Sequence, residues 1–227
     1  GTVVIAETQT GGKGRLGRSW TSPRGNLYVS VILRPSVPIS KAPLITLMGA
    51  VAVASAIRRQ CGVPAGIKWP NDILLSGKKV SGLLTEMSAE PDRIRHIVLG
   101  IGVNVNMDGS SLQPDVRRMS TTLAAAMGKY VDRTALLRTL LLALDLWYHR
   151  FLQNDADVLA AWKELNVTLG HRVAVSGGGA KLEGLARGVD AEGRLILELD
   201  DGMLRQVAAG DVTIMKEKTG HGDMATR

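Results

Sequence analysis

Apolar residues along the chain fall into two kinds of run, and these runs predict its secondary structure. Short runs rich in β-branched residues, such as 3–6 and 26–34, are typical of strands. The run that begins at residue 42 is nearly all apolar and stops before Gly62, which predicts a buried helix over about 42–60. Residues 133–152 carry apolar side chains at helical spacing and predict a second long helix. Periodicity alone therefore indicates an α+β protein.

The region between these two helices predicts further strands. Residues 73–75 and 80–87 have the pattern of a hairpin, and 96–106 reads as another strand. We expect 112–118 to be irregular and 121–127 to form a short helix.

The composition changes after Asn166. Short β-type runs follow one another, separated by Gly-containing turns, which is typical of a small barrel. We therefore predict a first domain over 1–168, a small C-terminal barrel over 169–217 and a flexible tail over 218–227.

Composition and charge narrow the class of protein. The chain has 227 residues, 45% of them hydrophobic and 22% charged, which is typical of a globular protein. Its net charge of +7 is compatible with nucleic acid, a nucleotide or an acidic partner protein. A single cysteine, Cys61, and no visible signal peptide favour a cytoplasmic protein. The apolar run from residue 42 is shorter than the roughly 20 residues of a membrane span. The chain opens without Met almost directly on a strand, so we expect residues upstream of it.

Residues 11–20, Gly-Gly-Lys-Gly-Arg-Leu-Gly-Arg-Ser-Trp, form the most informative stretch. Glycines allow close approach of the backbone to a ligand, and guanidinium groups hold phosphate oxygens in pairs. The stretch also fits G-x-G-x-x-G, but turn residues follow it, and no Asp or Glu occurs between Glu7 and Asp72. A dinucleotide site needs a helix and a carboxylate there. We interpret the stretch as a loop that grips an anion; the alternative is a solvated basic turn.

A second group of candidate residues is the segment 68–72, Lys-Trp-Pro-Asn-Asp. Lys79 follows it, and 100–104 places Asn104 just after two glycines. Together they supply the cations, amides, carboxylate and close-approach glycines of a nucleotide-phosphate site. Singly, each also has a purely structural explanation, such as Asn and Asp in a turn.

These motifs, in this order, resemble those of the biotin protein ligases. The resemblance rests on 12–20, Asn26-Leu-Tyr-Val-Ser30, 68–72, Lys79-Val-Ser-Gly-Leu-Leu84 and Gly102-Val-Asn104, and extends to about residue 216. It implies a mixed β-sheet backed by helices, as in class II aminoacyl-tRNA synthetases, followed by a small SH3-like barrel.

The resemblance also implies a two-step reaction. Biotin and ATP give biotinyl-5′-AMP, and a lysine of a biotin carboxyl carrier protein then takes the biotin. ATP with Mg²⁺ is the cosubstrate, and we expect no bound prosthetic group. We expect no membrane or nucleic-acid partner for this chain, and a second copy of it stays a candidate partner.

Functional residues follow from the resemblance by position. The catalytic candidates are Arg15, Lys79 and Asp72, with Asp72 orienting Mg²⁺ or the attacking amine. The residues implied in binding biotin or the adenylate are Gln9, Gly12, Lys13, Gly14, Arg15, Arg18, Trp20, Lys68, Asn71, Lys79, Gly82, Leu84, Gly102 and Asn104. No metal ligands are assigned.

The chain departs from the family pattern at three points. The family's Ser-Thr-Asn-type segment, which contacts the ureido ring, would lie upstream of residue 1. Lys13 stands where arginine is usual and keeps the charge without the bidentate fork. Met119 or an arginine stem replaces an adenine-stacking aromatic in 117–123.

Three other functions stay open at this point. They are a lipoate or octanoate ligase or transferase of the same fold, a basic nucleic-acid-binding module, and a sensor without catalytic activity. The Lys68–Asp72 segment and the terminal barrel favour biotin over lipoate. The clustering of cations with glycines, and the few candidates for stacking on bases, argue against nucleic acid.

Overall fold

The computed structural model describes residues 1–177 and 180–215, except for the side chains of Ser111 and Ala180. The predicted tail over 218–227 lies outside the described residues. The helices and strands, in chain order, are β1 (Thr2–Ala6), β2 (Leu27–Leu33), α1 (Ala42–Cys61), β3 (Gly66–Lys68), β4 (Asp72–Leu75), β5 (Lys78–Ala89), β6 (Ile94–Val103), α2 (Pro114–Met119), α3 (Leu123–Met127), α4 (Arg133–Gln153), α5 (Asp155–Leu165), β7 (Arg172–Gly177), β8 (Ala180–Val189), β9 (Leu195–Glu198), β10 (Leu204–Val207) and β11 (Asp211–Ile214).

The first six strands form one sheet in the order β1-β2-β6-β5-β4-β3. Every strand pair in it is antiparallel, and parallel pairing is confined to single bridges such as Lys79 with Ser120. β4, β5 and β6 bring three site residues into line, because Asp72 pairs with Gly82 and Gly82 pairs with Gly102. Residues from three distant parts of the sequence thus share one row across the sheet.

Helix α1 covers one face of this sheet. Gly49 allows the helix to approach, since a Cβ there would lie 2.9 Å from the side chains of Leu83 and Leu99. Thr46 also shares a 2.8 Å hydrogen bond with Thr85. Because side chains alternate along a strand, the even-numbered residues of β5 face the other way. That opposite face carries the candidate site.

The ends of the long helices follow from local sequence. α1 ends at Cys61 and is capped by Gly62, which has φ +68° and donates its N–H to the Arg58 carbonyl at 3.0 Å. Glycine adopts this left-handed conformation without the penalty that a Cβ brings. α4 begins after Asp132, whose side chain accepts the N–H groups of Thr134 and Ala135. α4 and α5 both pack against α1, and α5 also contacts β3.

The apolar stretch that contains α1 belongs to the core. Ile39–Cys61 is, by length and hydropathy, the one span in the described part of the chain that could cross a membrane, yet 67% of its most apolar window is buried in the protein. A core helix gives the same signal.

Residues 112–118 were expected to be irregular, and this expectation is wrong. Pro114–Met119 is a helix. Pro114 stands at its first position, Asp115 lies in its first turn, and Arg117 and Arg118 lie in its last, an order that suits the helix dipole. None of its residues is buried, so no apolar period signals it in the sequence.

The last five strands form a second antiparallel sheet in the order β10-β9-β8-β7-β11. Its buried residues, such as Val173, Leu195 and Val212, join the apolar core of the rest of the protein. The predicted fold class is confirmed, with one difference: no pairing between β10 and β11 closes the barrel in the described part of the chain. The exact domain limits stay a prediction.

Candidate active site

The glycine-rich stretch forms a small hairpin. Trp20 donates its backbone N–H to the Gly12 carbonyl at 2.8 Å, and Gly14 donates to the Arg18 carbonyl at 2.6 Å. At the tip, Leu16 and Gly17 have φ values of 55° and 73°. A left-handed pair needs a glycine to form at low cost, which explains Gly17. The fold of the loop therefore depends on its own glycines, and its cations project from a defined turn.

Trp20 lies flat against the sheet over two glycines. A Cβ on Gly102 would lie 2.7 Å from the indole Nε1 and Cε2 atoms, and one on Gly82 would lie 2.9 Å from the ring. The two glycines are cross-strand partners in β5 and β6. Because neither glycine has a side chain, they leave a slot in the sheet surface, and the Trp20 ring lies in it against the backbone. The Trp20 Nε1–H is buried and has no hydrogen-bond partner among the described residues.

Two lysines converge on one carboxylate. Lys79 Nζ lies 2.5 Å from Asp72 Oδ1, and Lys68 Nζ lies 3.2 Å from Oδ2. The Asp72 side chain is only 14% exposed. Burial by itself would raise the pKa of this carboxyl, but the attraction and hydrogen bonds of Lys79 and Lys68 outweigh it and hold the pKa below its ordinary value. Asp72 is thus a carboxylate that fixes two ammonium groups.

Lys79 also joins the lysine pair to the indole. Its Nζ lies 5.2 Å from the centroid of the Trp20 ring, a cation–π distance. Its side chain also borders the space beside Gly82, where a Cβ would meet Nζ at 3.1 Å. The ammonium group therefore stands at one end of the glycine slot.

Arg15 reaches the neighbouring residue of the same segment. Its Nη1 donates to Asn71 Oδ1 at 3.1 Å and to the Gly210 carbonyl at 3.2 Å. Asn71 is itself fixed, since its Nδ2 donates to the Leu83 carbonyl at 2.6 Å. Burial lowers the pKa of Arg15, while Asp211 and Asp72 raise it by a smaller amount. The guanidinium group is half-buried, and both of its hydrogen bonds within the described residues go to neutral oxygens.

An open groove of about 550 Å³ lies beside this network. Its lining residues come from the loop and from β5, and they are Lys13, Gly14, Arg15, Leu16, Gly17, Arg18, Leu84 and Glu86. Two of its cations are paired at the rim, where Lys13 Nζ lies 3.3 Å from Glu86 Oε1 and Arg18 bonds to Asp211. Arg15 is therefore the lining cation without an acidic partner among the described residues, while Lys13 and Arg18 are each paired with a carboxylate.

A second groove of about 330 Å³ opens near the start of α3. Its lining residues include Arg117 and Thr121 but not Met119, one of the candidates to stack on a nucleotide base. Asn104 reaches this groove from the sheet, because its Nδ2 donates to the Thr121 carbonyl at 3.2 Å. Lys79 links the two regions, since its carbonyl accepts the Thr121 N–H at 2.9 Å. The backbone of Lys79 thus contacts a lining residue of this second groove, while its side chain reaches Asp72.

The structure brings most of the predicted site residues together. Those joined by direct contact or close approach are Arg15, Trp20, Lys68, Asn71, Asp72, Lys79, Gly82 and Gly102. Lys13, Gly14, Arg18 and Leu84 line the groove beside them. Gln9 lies at the base of the loop, where its Oε1 accepts the Ser22 hydroxyl at 2.8 Å, and a Cβ on Gly12 would lie 3.1 Å from the same atom. Their roles in binding stay predictions.

Sequence reasoning missed the contribution of the C-terminal sheet. The Gly210 carbonyl and the Asp211 carboxylate contact Arg15 and Arg18 across more than 190 residues. Nothing in the local sequence around Gly210 distinguishes it from an ordinary turn. Glu86 was missed for a different reason: it lies on β5, and only the alternation of that strand places it beside Lys13.

Comparison with known proteins agrees with this geometry. Two family models match, the biotin/lipoate A/B protein ligase family over residues 1–104 and the biotin protein ligase C terminal domain over residues 168–215. A biotin–[acetyl-CoA-carboxylase] ligase of Mycobacterium tuberculosis is 35% identical over 222 residues, which are 95% of this chain and 80% of that protein. The bifunctional ligase/repressor BirA of Bacillus subtilis is 37% identical over 216 residues, 94% of this chain. The chain spans 66% of the length of that Bacillus protein.

A solved structure shows the same fold. The biotin protein ligase from Aquifex aeolicus in complex with biotin and ATP aligns with a TM-score of 0.82 and 29% identity, covering 95% of this chain and 89% of that one. The chain belongs to the biotin/lipoate A/B protein ligase family and, within it, to the biotin protein ligases.

Proposed function

We propose that this protein activates biotin with ATP and transfers it to a lysine of a biotin carboxyl carrier protein. One observation carries the proposal beyond family membership: Arg15 is a half-buried cation bonded to neutral oxygens, next to the Lys68–Asp72–Lys79 cluster. A buried charge without a direct counter-charge is costly. A bound phosphate or carboxylate would supply that counter-charge, and the reaction brings both.

The first step joins two anions. A carboxylate oxygen of biotin attacks the α-phosphorus of ATP, the bond from that phosphorus to the β-phosphate bridging oxygen breaks, and pyrophosphate leaves. The product is biotinyl-5′-AMP. Arg15 and Lys79 offset the repulsion between the two substrates and stabilise the charge that develops on the phosphoryl oxygens. Lys13 adds a third positive charge at the rim.

Holding the two substrates in a reactive arrangement supplies much of the remaining rate enhancement. Trp20 fills the slot over Gly82 and Gly102, and we propose that the fused rings of biotin lie against the outer face of its indole. Lys79, whose ammonium group lies 5.2 Å from the centroid of the Trp20 ring, is the residue that we propose to meet the carboxylate of biotin. The groove at the start of α3, which Asn104 approaches and whose residue Thr121 bonds to the Lys79 carbonyl, suits the adenosine.

The second step forms an amide. The neutral ε-amine of the carrier lysine attacks the acyl carbon of biotinyl-5′-AMP, the bond to the phosphate oxygen breaks, AMP leaves, and the nitrogen loses a proton. Asp72, held ionised by its two lysines, is the candidate to orient that amine. A carrier domain with acidic surface would be attracted by the net charge of +7.

Mg²⁺ would accompany ATP as its counter-ion. The described residues hold no group of three or more His, Cys, Asp or Glu side chains that could hold a metal ion by itself. Both oxygens of Asp72 already accept lysines. Mg²⁺ commonly binds through substrate phosphates with one or two carboxylates, so this residue set fits an ion delivered with the nucleotide.

A lipoate or octanoate ligase is the second candidate, because one matching family model covers both kinds of enzyme. The match of the C-terminal region to the biotin protein ligase model favours biotin. Our other proposals are a catalytic domain over 1–168 with a small C-terminal domain over 169–217, a cytoplasmic location, and a homodimer as one candidate assembly.

The test is acid-dependent formation of an acyl-adenylate. The chain is incubated with α-labelled ATP, Mg²⁺ and biotin, lipoate or octanoate in turn, and the labelled products are separated by chromatography. The proposal predicts biotinyl-AMP with biotin and only traces of product with the other acids. Product with lipoate or octanoate but not biotin, or no acid-dependent product at all, would overturn it.

A further inference from the structure

Trp69, inside the Lys68–Asp72 segment, is tied to the C-terminal part of the chain by both of its N–H groups. Its backbone N–H donates to Thr168 Oγ1 at 2.9 Å, and its indole Nε1–H donates to the Gly193 carbonyl at 2.9 Å. The side chain is 1% exposed. Since a buried indole N–H needs a partner, the second bond fixes the direction of the ring as well as its depth.

The acceptor carbonyl belongs to a rigid turn. Asp190 Oδ1 accepts the backbone N–H groups of Glu192 and Arg194 at 3.0 and 2.9 Å, and its Oδ2 accepts Arg194 Nε at 2.6 Å. Gly193 itself has φ +79°, and a Cβ there would lie 2.9 Å from Leu47 of α1. The hydrogen bonds of Asp190 therefore fix the shape of the turn, and Gly193 packs closely against Leu47 of the core.

The contacts of Trp69 continue into the candidate site and return to the same sheet. Two residues after Trp69, Asn71 accepts Arg15 Nη1 at 3.1 Å. The same Nη1 donates to the Gly210 carbonyl, which lies between β10 and β11. The C-terminal sheet thus holds Arg15 directly through Gly210, and indirectly through Gly193, Trp69 and Asn71.

From this closed set of contacts we infer that Trp69 is a positioning residue for the adenylation step. The hydrogen bond from its indole to Gly193 positions Asn71, and Asn71 in turn positions the Arg15 guanidinium group. Trp69 touches no substrate in this scheme. The inference rests on the proposed function, because its consequence is a rate of acyl-adenylate formation.

Trp162 offers a matched control. It is as deeply buried as Trp69, but its Nε1 has no hydrogen-bond partner among the described residues. Trp69→Phe and Trp162→Phe therefore remove a similar volume from the core, while only Trp69→Phe removes an indole hydrogen bond. We expect Trp69→Phe to lower kcat for biotinyl-AMP formation about tenfold, the effect of one well-placed bond, with the KM for ATP within about twofold of wild type. Trp162→Phe should keep kcat within about twofold of wild type.

Asp190→Ala supplies a second test from the far end of the contact. It loosens the turn without changing Trp69 or any predicted site residue, and we expect a loss of kcat in the same direction. Because both changes act through one bond, the double variant should lose less than the product of the two single losses. If Trp69→Phe does not fold, Asp190→Ala alone decides the question.

The kinetic results distinguish the positioning role of Trp69 from the proposed function of the protein. An active wild type whose kcat falls equally in Trp69→Phe and Trp162→Phe, or a normal kcat in Asp190→Ala, would overturn the positioning role. Fully multiplicative losses in the double variant would also overturn it, because they would show independent effects. A wild type that forms no biotinyl-AMP would overturn the proposed function, and this inference with it.

Discussion

Asp72 and Lys79 form a close ion pair in the candidate site, with Oδ1 and Nζ 2.5 Å apart across the β4–β5 hairpin. Lys68 contacts the other oxygen of the same carboxylate. One carboxylate thus holds two cations that repel each other. It fixes the ammonium group of Lys79 beside the Trp20 indole, against which we propose that biotin lies, before any substrate is bound.

The Asp72 pair predicts a pH-dependent contribution to stability. The pKa of Asp72 is lower in the folded protein than its ordinary value of 3.8. A depressed pKa means that the ionised carboxylate stabilises the fold at all pH values well above 3.8, and that this contribution is lost as the pH falls through the folded-state pKa. Asp72→Asn should therefore lower the free energy of unfolding most at neutral pH, and progressively less in acid.

Chemical denaturation of wild type and Asp72→Asn across this range measures the difference. Asp92→Asn serves as the control, since Asp92 is exposed and has no salt bridge within the described residues. A difference that stays constant from neutral pH to well below pH 3.8 would contradict the ionised state that we assign to Asp72.

Gly102→Ala should damage the slot without unfolding the sheet. The new methyl group would lie 2.7 Å from the Trp20 indole and displace it. We expect at least about a tenfold loss in kcat/KM for biotin, a typical cost of a small displacement in a catalytic site. The measurement is the biotin dependence of pyrophosphate release.

Gly100→Ala is the matched control on the same strand and face. A Cβ at Gly100 would meet only the Leu84 carbonyl at 3.4 Å, an ordinary contact. If Gly100→Ala and Gly102→Ala reduced activity equally, the loss would come from a disturbed strand rather than from a displaced Trp20. The assignment of Trp20 to the biotin site would then be wrong.

The pair between Arg18 and Asp211 should restrain the loop more than it stabilises the protein. The Arg18 side chain is 61% exposed, so the pair contributes at most about 1 kcal/mol to global stability. Asp211→Ala should nevertheless increase trypsin cleavage within 11–20 severalfold, because it releases the loop from β11. Cleavage is followed by mass spectrometry.

Asp200→Ala is the control for this experiment, since Asp200 pairs with Arg172 on the same sheet but away from the loop. Biotin with ATP should protect the loop in wild type if it closes over the adenylate. Equal cleavage rates in wild type, Asp211→Ala and Asp200→Ala would show that the ion pair does not restrain the loop.

Transfer to the carrier should depend on salt more strongly than adenylation does. The net charge of +7 would attract the carrier over a distance that salt screens, whereas the roles that we propose for Arg15 and Lys79 are confined to the site. Raising the salt from about 0.05 M to about 0.5 M should slow the transfer from preformed biotinyl-AMP severalfold. A transfer rate that does not change with salt would contradict attraction between the two proteins.

The sequence was most informative where local chemistry decides structure. The glycines of the loop, the β-branched runs and the apolar run of α1 predicted their elements because each depends on neighbouring residues. The row of Asp72, Gly82 and Gly102 needed the strand register, and the register is set by packing rather than by any one motif.

The parts that could not be predicted depend on contacts between distant residues or on weak local signals. The Gly210 carbonyl contacts Arg15 across 195 residues, and because every residue has a backbone carbonyl, the sequence does not indicate which one makes this contact. Trp69 was visible as a large apolar residue, but its bond to Gly193 follows only from how the C-terminal sheet packs on α1. α2 was missed because none of its residues is buried.

The central claim is that Arg15 and Lys79 act on the same developing charge. Its most direct test is the single-turnover rate of biotinyl-AMP formation in wild type, Arg15→Ala, Lys79→Ala and the double variant. Each single change should lower the rate by about 10²–10³-fold, the typical cost of one transition-state donor, and the double variant should lose clearly less than the product of the two. A rate within a fewfold of wild type in either single variant, or losses that multiply in full, would contradict the claim.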